Sequence, residues 1–147
     1  MGRIRLARIP DITAASLEGF VEEAVDPGAV IYTDGYGGYA GLAAAGYTHL
    51  PTAIEATGDP AHVAMPRVHL VASLLKRWLL VTHQGAVRSQ HLDYYLDEYT
   101  FRFNRRTSNH RGLLFYRLLE QCVDLPPIPL ASISGREQFE RKRTKVR

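Results

Sequence analysis

"VIYTDGYGGY", residues 30–39, sets an aspartate at the end of a short apolar run and follows it with closely spaced glycines. With Ala29 the run reads AVIYTD. It is rich in β-branched residues and follows a Pro-Gly turn, so it predicts a short buried strand. Asp34 then has two readings. It can be a turn residue that closes the strand, or a carboxylate held at a strand's carboxyl end to grip a metal ion. Upstream, "DITAASLEGFVEEAV" places Leu17, Phe20, Val21 and Val25 at helical spacing, with Asp11 or Thr13 as cap and Pro27-Gly28 as stop. Further upstream, "RIRLARI" (Arg3 to Ile9) has the alternation of a half-buried strand. Strand, helix and strand in this order predict a crossover unit, with helices covering a sheet.

Downstream of Asp34, "GYGGYAGLAAAGY" predicts a short helix entered through a glycine turn and ended at Gly46. "THLPTAI" predicts another short strand, and "EATGDPAHVAMP" a loop. Pro66 suits the first turn of the next helix. Its apolar stripe is Val68, Val71, Ala72, Leu75 and Leu79, with Leu74 and Trp78 beside it. "THQGAV" interrupts the pattern. Ser89 is the predicted cap of a helix that buries Leu92, Tyr95, Leu96, Tyr99 and Phe103. "NRRTSNHRG" is a polar joint, and "LLFYRLLEQCV" a last helix stopped by Asp124 and "PPIP". The end, "SGREQFERKRTKVR", has few apolar anchors and predicts a loose tail.

The 147 residues suit one domain of ordinary size, and 46% hydrophobic content permits a core. No apolar run approaches the roughly 20 residues that span a bilayer. Cys122 is the single cysteine, which excludes an intrachain disulfide and a cysteine-based zinc site. A reducing, cytoplasmic setting is expected. Charge is polarised: residues 1–66 hold 3 Arg against 8 Asp and Glu, and residues 99–147 hold 11 Lys and Arg against 4 Asp and Glu. A basic half is suited to phosphates, whose neutralisation releases counterions. The same charges also describe a solvated surface.

His69, Ser73 and Lys76 are spaced i, i+4 and i+7 and so share one side of their helix. If that side faces the end of the Asp34 strand, a carboxylate, an imidazole and an ammonium meet at one place. Carboxylate and imidazole both ligate divalent metals, and a lysine holds a phosphate as a point charge. Facing water is the commoner fate of such a side. Two-metal phosphoryl transfer needs several anionic oxygens around two ions. Asp11, Asp26 and Asp59 do not end strands beside Asp34, so no complete acidic cluster is evident. "DEYTFRFNRR" adds Arg102, Arg105 and Arg106 at a helix end, where arginines meet phosphates or simply complement the helix dipole.

The order of these strings resembles the catalytic domain of DDE-type insertion-sequence transposases, specifically the ISXO2-like group of the IS1595 family. The matching pieces are "GRIRLARIPDITAASLEGFVEEAVDPGAVIYTDGYGGYAGLAAAGYTH" and "MPRVHLVASLLKRWLLVTHQGAVRSQHLDYYLDEYTFRFNRR", most of residues 2–106. The resemblance implies an α/β, RNase H-like fold: a mixed sheet flanked by helices. It implies DNA cleavage and strand transfer with Mg2+ or Mn2+. It aligns Asp34 with the second aspartate of the triad, His69 with the third triad position and Lys76 with the family's lysine. His69 stands where most members of the wider DDE group carry glutamate and some relatives asparagine or histidine, so the resemblance implies either membership of such a subgroup or a weakened site. It thus implies catalytic Asp34, His69 and Lys76, metal ligands Asp34 and His69, and DNA contacts from Lys76, Arg102, Arg105 and Arg106.

The chain begins at what resembles the family's third strand, so the strand carrying the first aspartate is not represented. The expectation is a catalytic domain truncated at its N-terminus over residues 2–123, with a Pro-containing basic tail over 124–147. A remnant or a mis-assigned start codon would explain this, and such a fragment is expected to be inactive alone. The expected partners are DNA, a second copy or a full-length transposase, and no membrane. The alternative is a non-catalytic DNA-binding or regulatory remnant that modulates a full-length transposase.

Overall fold

The computed structural model describes residues 2–52, 61–110 and 112–130. These residues fall into two compact units, one built from Ala7–Val87 and the other from Gly2–Leu6 and the segment that starts at Arg88.

The first unit is a small α/β assembly. Helix α1 (Ala14–Ala24) ends where Asp26, Pro27 and Gly28 turn the chain into strand β1 (Val30–Thr33). A 3₁₀ segment, Gly37–Ala43, carries the chain to β2 (Thr48–Pro51), which lies parallel to β1 with Val30 opposite Thr48 and Thr33 opposite Pro51. The ladder extends past both ends through Thr48 N–H to Ala29 O (3.0 Å) and Thr52 N–H to Thr33 O (2.8 Å). Pro51, which has no N–H to donate, is tolerated because β2 has no second strand neighbour among the described residues.

The core of this unit is Val21, Leu42 and Tyr47, with Val25, Ala29, Ile31 and Tyr39 packed around it. Leu42 is fully enclosed at 0% exposure. The helical period of α1 explains its share, since Leu17 and Val21 are one turn apart and both buried. Tyr47 keeps its hydroxyl satisfied by donating to Val25 O (3.2 Å). Gly46 has φ +89, a conformation costly for residues with a Cβ, and this left-handed residue ends the 3₁₀ segment and feeds β2. Helix α2 (Ala61–Ala64) follows and packs on α3 (Pro66–His83). Pro66 occupies the first turn of α3, and left-handed Gln84 (φ 50) and Gly85 (φ 72) end it.

The second unit contains a 3₁₀ turn, Ser89–His91, then α4 (Leu92–Asn104) and α5 (Leu113–Val123). Helix α4 buries Leu96, Tyr99 and Phe103, with the last two rings 5.9 Å apart.

Several expectations are met: α1, β1, β2, α3, α4 and α5 all form where the sequence places them, but β1 is not the buried strand expected, since Val30 is 52% and Tyr32 64% exposed. Others are corrected. Arg3 to Ile9 is not a strand. Among the described residues no strand pairs with it; instead the Asn104 side chain donates to Ile4 O (3.0 Å) and accepts from Ile4 N–H (2.7 Å), standing in for a strand neighbour at that residue. The parallel crossover therefore runs from β1 through the 3₁₀ segment to β2, not from residues 3–9 through α1. Part of the expected loop, Ala61–Ala64, is helical. Ser89 does not cap α4: the 3₁₀ turn intervenes, and His91 holds the cap position with no side-chain cap bond. Among the described residues the sheet is a two-stranded parallel pair with five α-helices. Residues 53–60 and the tail from 131 lie outside the described residues.

Candidate functional site at the carboxyl end of β1

Asp34 directly follows the last residue of β1 and is exposed. Its Oδ1 accepts the backbone N–H of Tyr36 at 3.1 Å, the local bond of an Asx turn. Gly35 between them has φ +81, which explains the glycine after the aspartate. The turn reading of Asp34 is thus realised. It does not use up the carboxylate, because Oδ2 makes no hydrogen bond among the described residues.

Thr33 anchors this turn from below. It is buried, and its Oγ1 lies 2.9 Å from His49 Nε2 on β2 while accepting Gly35 N–H at 3.4 Å. One hydroxyl therefore ties β2, β1 and the turn together beside Asp34. Tyr36 packs edge-on against Tyr39 (6.4 Å, 85°) and donates its hydroxyl to Ile12 O at 3.4 Å. Burial, and then the negative charge of Asp34, push the Tyr39 hydroxyl above its usual value of 10.0. Tyr39 thus feels the Asp34 charge directly.

His69, Ser73 and Lys76 are all exposed on α3. The backbone N–H of His69 donates to Met65 O (3.2 Å), and Ser73 Oγ donates to Leu70 O (3.0 Å). Asp34 and His69 share no hydrogen bond. Among the described residues no group of three or more His, Cys, Asp or Glu is arranged to hold a metal ion. Asp11 is engaged elsewhere. Its Oδ1 accepts from Ser16 Oγ (2.6 Å), Thr13 Oγ1 (2.6 Å) and Thr13 N–H (3.1 Å), and these bonds hold its carboxyl below its ordinary value of 3.8.

The three arginines at the end of α4 fold back on the protein. Arg102 pairs with Glu98 at 3.1 Å, an exposed i, i+4 contact of small energetic value. Arg105 stacks 3.8 Å over the Phe101 ring and donates to Phe101 O (3.4 Å). Arg106 lies 4.1 Å over the Phe103 ring and donates to Phe103 O (2.8 Å). Arginine suits this double role, because a planar guanidinium stacks on an aromatic face while its N–H groups reach carbonyls or phosphates.

Sequence reasoning missed His49, Tyr39 and Asn104. Pairing across strands carries no periodic signal, so the Thr33–His49 contact was not legible. Nor was the Asn104–Ile4 contact, which joins residues 100 positions apart.

The family model described as the ISXO2-like transposase domain matches residues 1–104. No curated protein and no solved structure matches the chain.

Proposed function

Matched over most of its length, the chain belongs to the ISXO2-like transposase domain family, and from that membership we propose that it is the Asp34-bearing part of an RNase H-like catalytic domain that cleaves and joins insertion-sequence DNA. Asp34 is the strand-end metal ligand, His69 the further ligand or the group that orients water, and Lys76 the contact to phosphate near the reacting bond. Arg102, Arg105 and Arg106 add contacts to the DNA backbone. The observation that carries the reading is the family match together with an exposed carboxylate at the carboxyl end of a parallel strand, where α/β sheets place ligands.

The donor set limits what this chain does by itself. The Mg2+ or Mn2+ of such a transposase needs several oxygen ligands. One carboxylate and one imidazole do not make that site, and no larger cluster stands among the described residues. We therefore assign this chain no catalytic step of its own. Strand transfer requires carboxylates beyond those brought together here, and by itself the chain is inactive. The protein works on DNA in the cytoplasm, as an oligomer or with a full-length transposase. No helix among the described residues is long and apolar enough to cross a membrane.

The basic second half favours one other reading, a remnant that binds DNA ends and dampens a full-length transposase. The ligand assignment is tested in one assay. In a complete transposase carrying residues 2–123 of this chain as its carboxyl part, Asp34→Ala is expected to abolish Mn2+-dependent strand transfer. Undiminished transfer would refute the ligand assignment.

A further inference from the structure

Thr33 ends β1 at a buried position that a valine of the same shape would fill without needing a hydrogen bond. Its hydroxyl is 2.9 Å from His49 Nε2 because of the strand register. Val30 and Tyr32 are exposed whereas Ile31 and Thr33 are not, so the last two share the covered face of the sheet. Ile31 lies opposite His49, which brings the imidazole to that face, one diagonal step from Thr33. The backbone of Thr33 is tied to the same neighbouring segment, since its C=O accepts Thr52 N–H at 2.8 Å. Thr33 is thus held to β2 by side chain and backbone alike.

Asp34 has no bond to β2 among the described residues. Its place follows from Thr33 before it and from the turn after it. Two bonds shape that turn: Gly35 N–H donates to Thr33 Oγ1 at 3.4 Å, and Tyr36 N–H donates to Asp34 Oδ1 at 3.1 Å. A threonine hydroxyl has one proton and two lone pairs. With Gly35 N–H on one lone pair, it still exchanges a hydrogen bond with His49, whichever group carries the proton. The imidazole therefore selects the rotamer of Thr33, and that rotamer sets the acceptor for Gly35. We propose that His49 and Thr33 are positioning residues for Asp34, holding the turn that presents its carboxylate at the end of β1. Neither residue touches the reacting groups. The polar pair supplies direction at a place where two apolar side chains would pack without it.

The inference rests on the reading of Asp34 as the working carboxylate, but its first readout does not. In the full chain, amide exchange is followed at Gly35 and Tyr36. Thr33→Val keeps the shape and removes the hydroxyl, and exchange at Gly35 is expected to quicken about three- to tenfold, the worth of one hydrogen bond. His49→Ala is expected to act in the same direction from the other strand. Thr33→Ser and His49→Gln, which return the polar groups, are expected to restore the wild-type rate. The melting temperature of Thr33→Val/His49→Leu is expected to hold, because both partners are replaced by apolar groups. A fall in melting that accounts for the faster exchange would make the pair a matter of stability and overturn the proposal. In a complete transposase carrying residues 2–123 of this chain, Thr33→Val is expected to lower kcat for strand transfer about tenfold or more with KM for DNA unchanged, and Thr33→Ser to recover it. Unchanged exchange at Gly35, or unchanged transfer in a variant with a loosened turn, overturns the positioning role and leaves the transposase reading standing. Undiminished transfer in Asp34→Ala overturns the reading of Asp34 instead, while the exchange rates decide separately whether the pair holds the turn. If Thr33→Val fails to fold, His49→Ala against His49→Gln decides the question from a half-buried position.

Discussion

Helices α1 and α3 look alike in sequence and behave differently in the fold. Both place apolar residues at helical spacing. The shorter one, Ala14–Ala24, buries Leu17 and Val21 and packs against the 3₁₀ segment. The longer one, Pro66–His83, buries none of its residues: Val68 at its start is 58% exposed and Leu80 near its end 64%. Its apolar stripe is half-covered at best, and α2 is the element it packs on. Spacing therefore specifies that a helix forms, whereas burial requires a facing surface. Here that surface exists for α1, because Gly28, Gly35 and Gly46 let the chain reverse tightly around it.

The contrast breaks or sharpens on substitution. Leu42→Ala in the enclosed core beside α1 is expected to cost about 2–5 kcal/mol, read as a lower midpoint in urea unfolding. Leu75→Ala on α3, which is only half-buried, is expected to cost far less, about 1 kcal/mol. Equal losses at the two sites would show that α3 has a facing surface as complete as that of α1.

The smallest effect is at the start of α1. The Asp11 carboxylate accepts from Thr13 and Ser16, and its folded pKa lies below the unfolded one. Its contribution is therefore present above the ordinary value of 3.8 and is lost as pH falls through the lower folded value. Amide exchange at Thr13 is expected to quicken over that acid range, and Asp11→Asn to remove the pH dependence. An unaltered profile in the variant would show that the Asp11 knot does not order the helix start.

How far the sequence speaks follows the same division. Local period placed β1, α1, α3, α4 and α5, and turn chemistry placed the reversals at Pro27-Gly28 and Gly46. The strand expected at Arg3 to Ile9 had the right alternation, but alternation does not supply a partner. The partner is an amide side chain, which no local pattern announces. At the candidate site, Asp34 was legible as a strand-end carboxylate and as a turn residue, and its geometry allows both at once. The roles of Thr33, His49 and Tyr39 were not legible, because Thr33 meets His49 through strand pairing and Tyr39 meets Tyr36 through packing. The arginines of α4 were legible as a basic helix end. Their stacking on Phe101 and Phe103 was not, although the i, i+4 and i, i+3 spacings permit it.

The assignment of Asp34 and His69 to one ion is tested most directly by adding substoichiometric Mn2+ to the folded, isotopically labelled complete transposase that carries residues 2–123 of this chain as its carboxyl part, and recording paramagnetic line broadening of its amide signals. Broadening at both Gly35 and His69, lost at both in Asp34→Asn, is the predicted result. Broadening that spares His69, or that persists around Gly35 in the variant, would contradict the shared site.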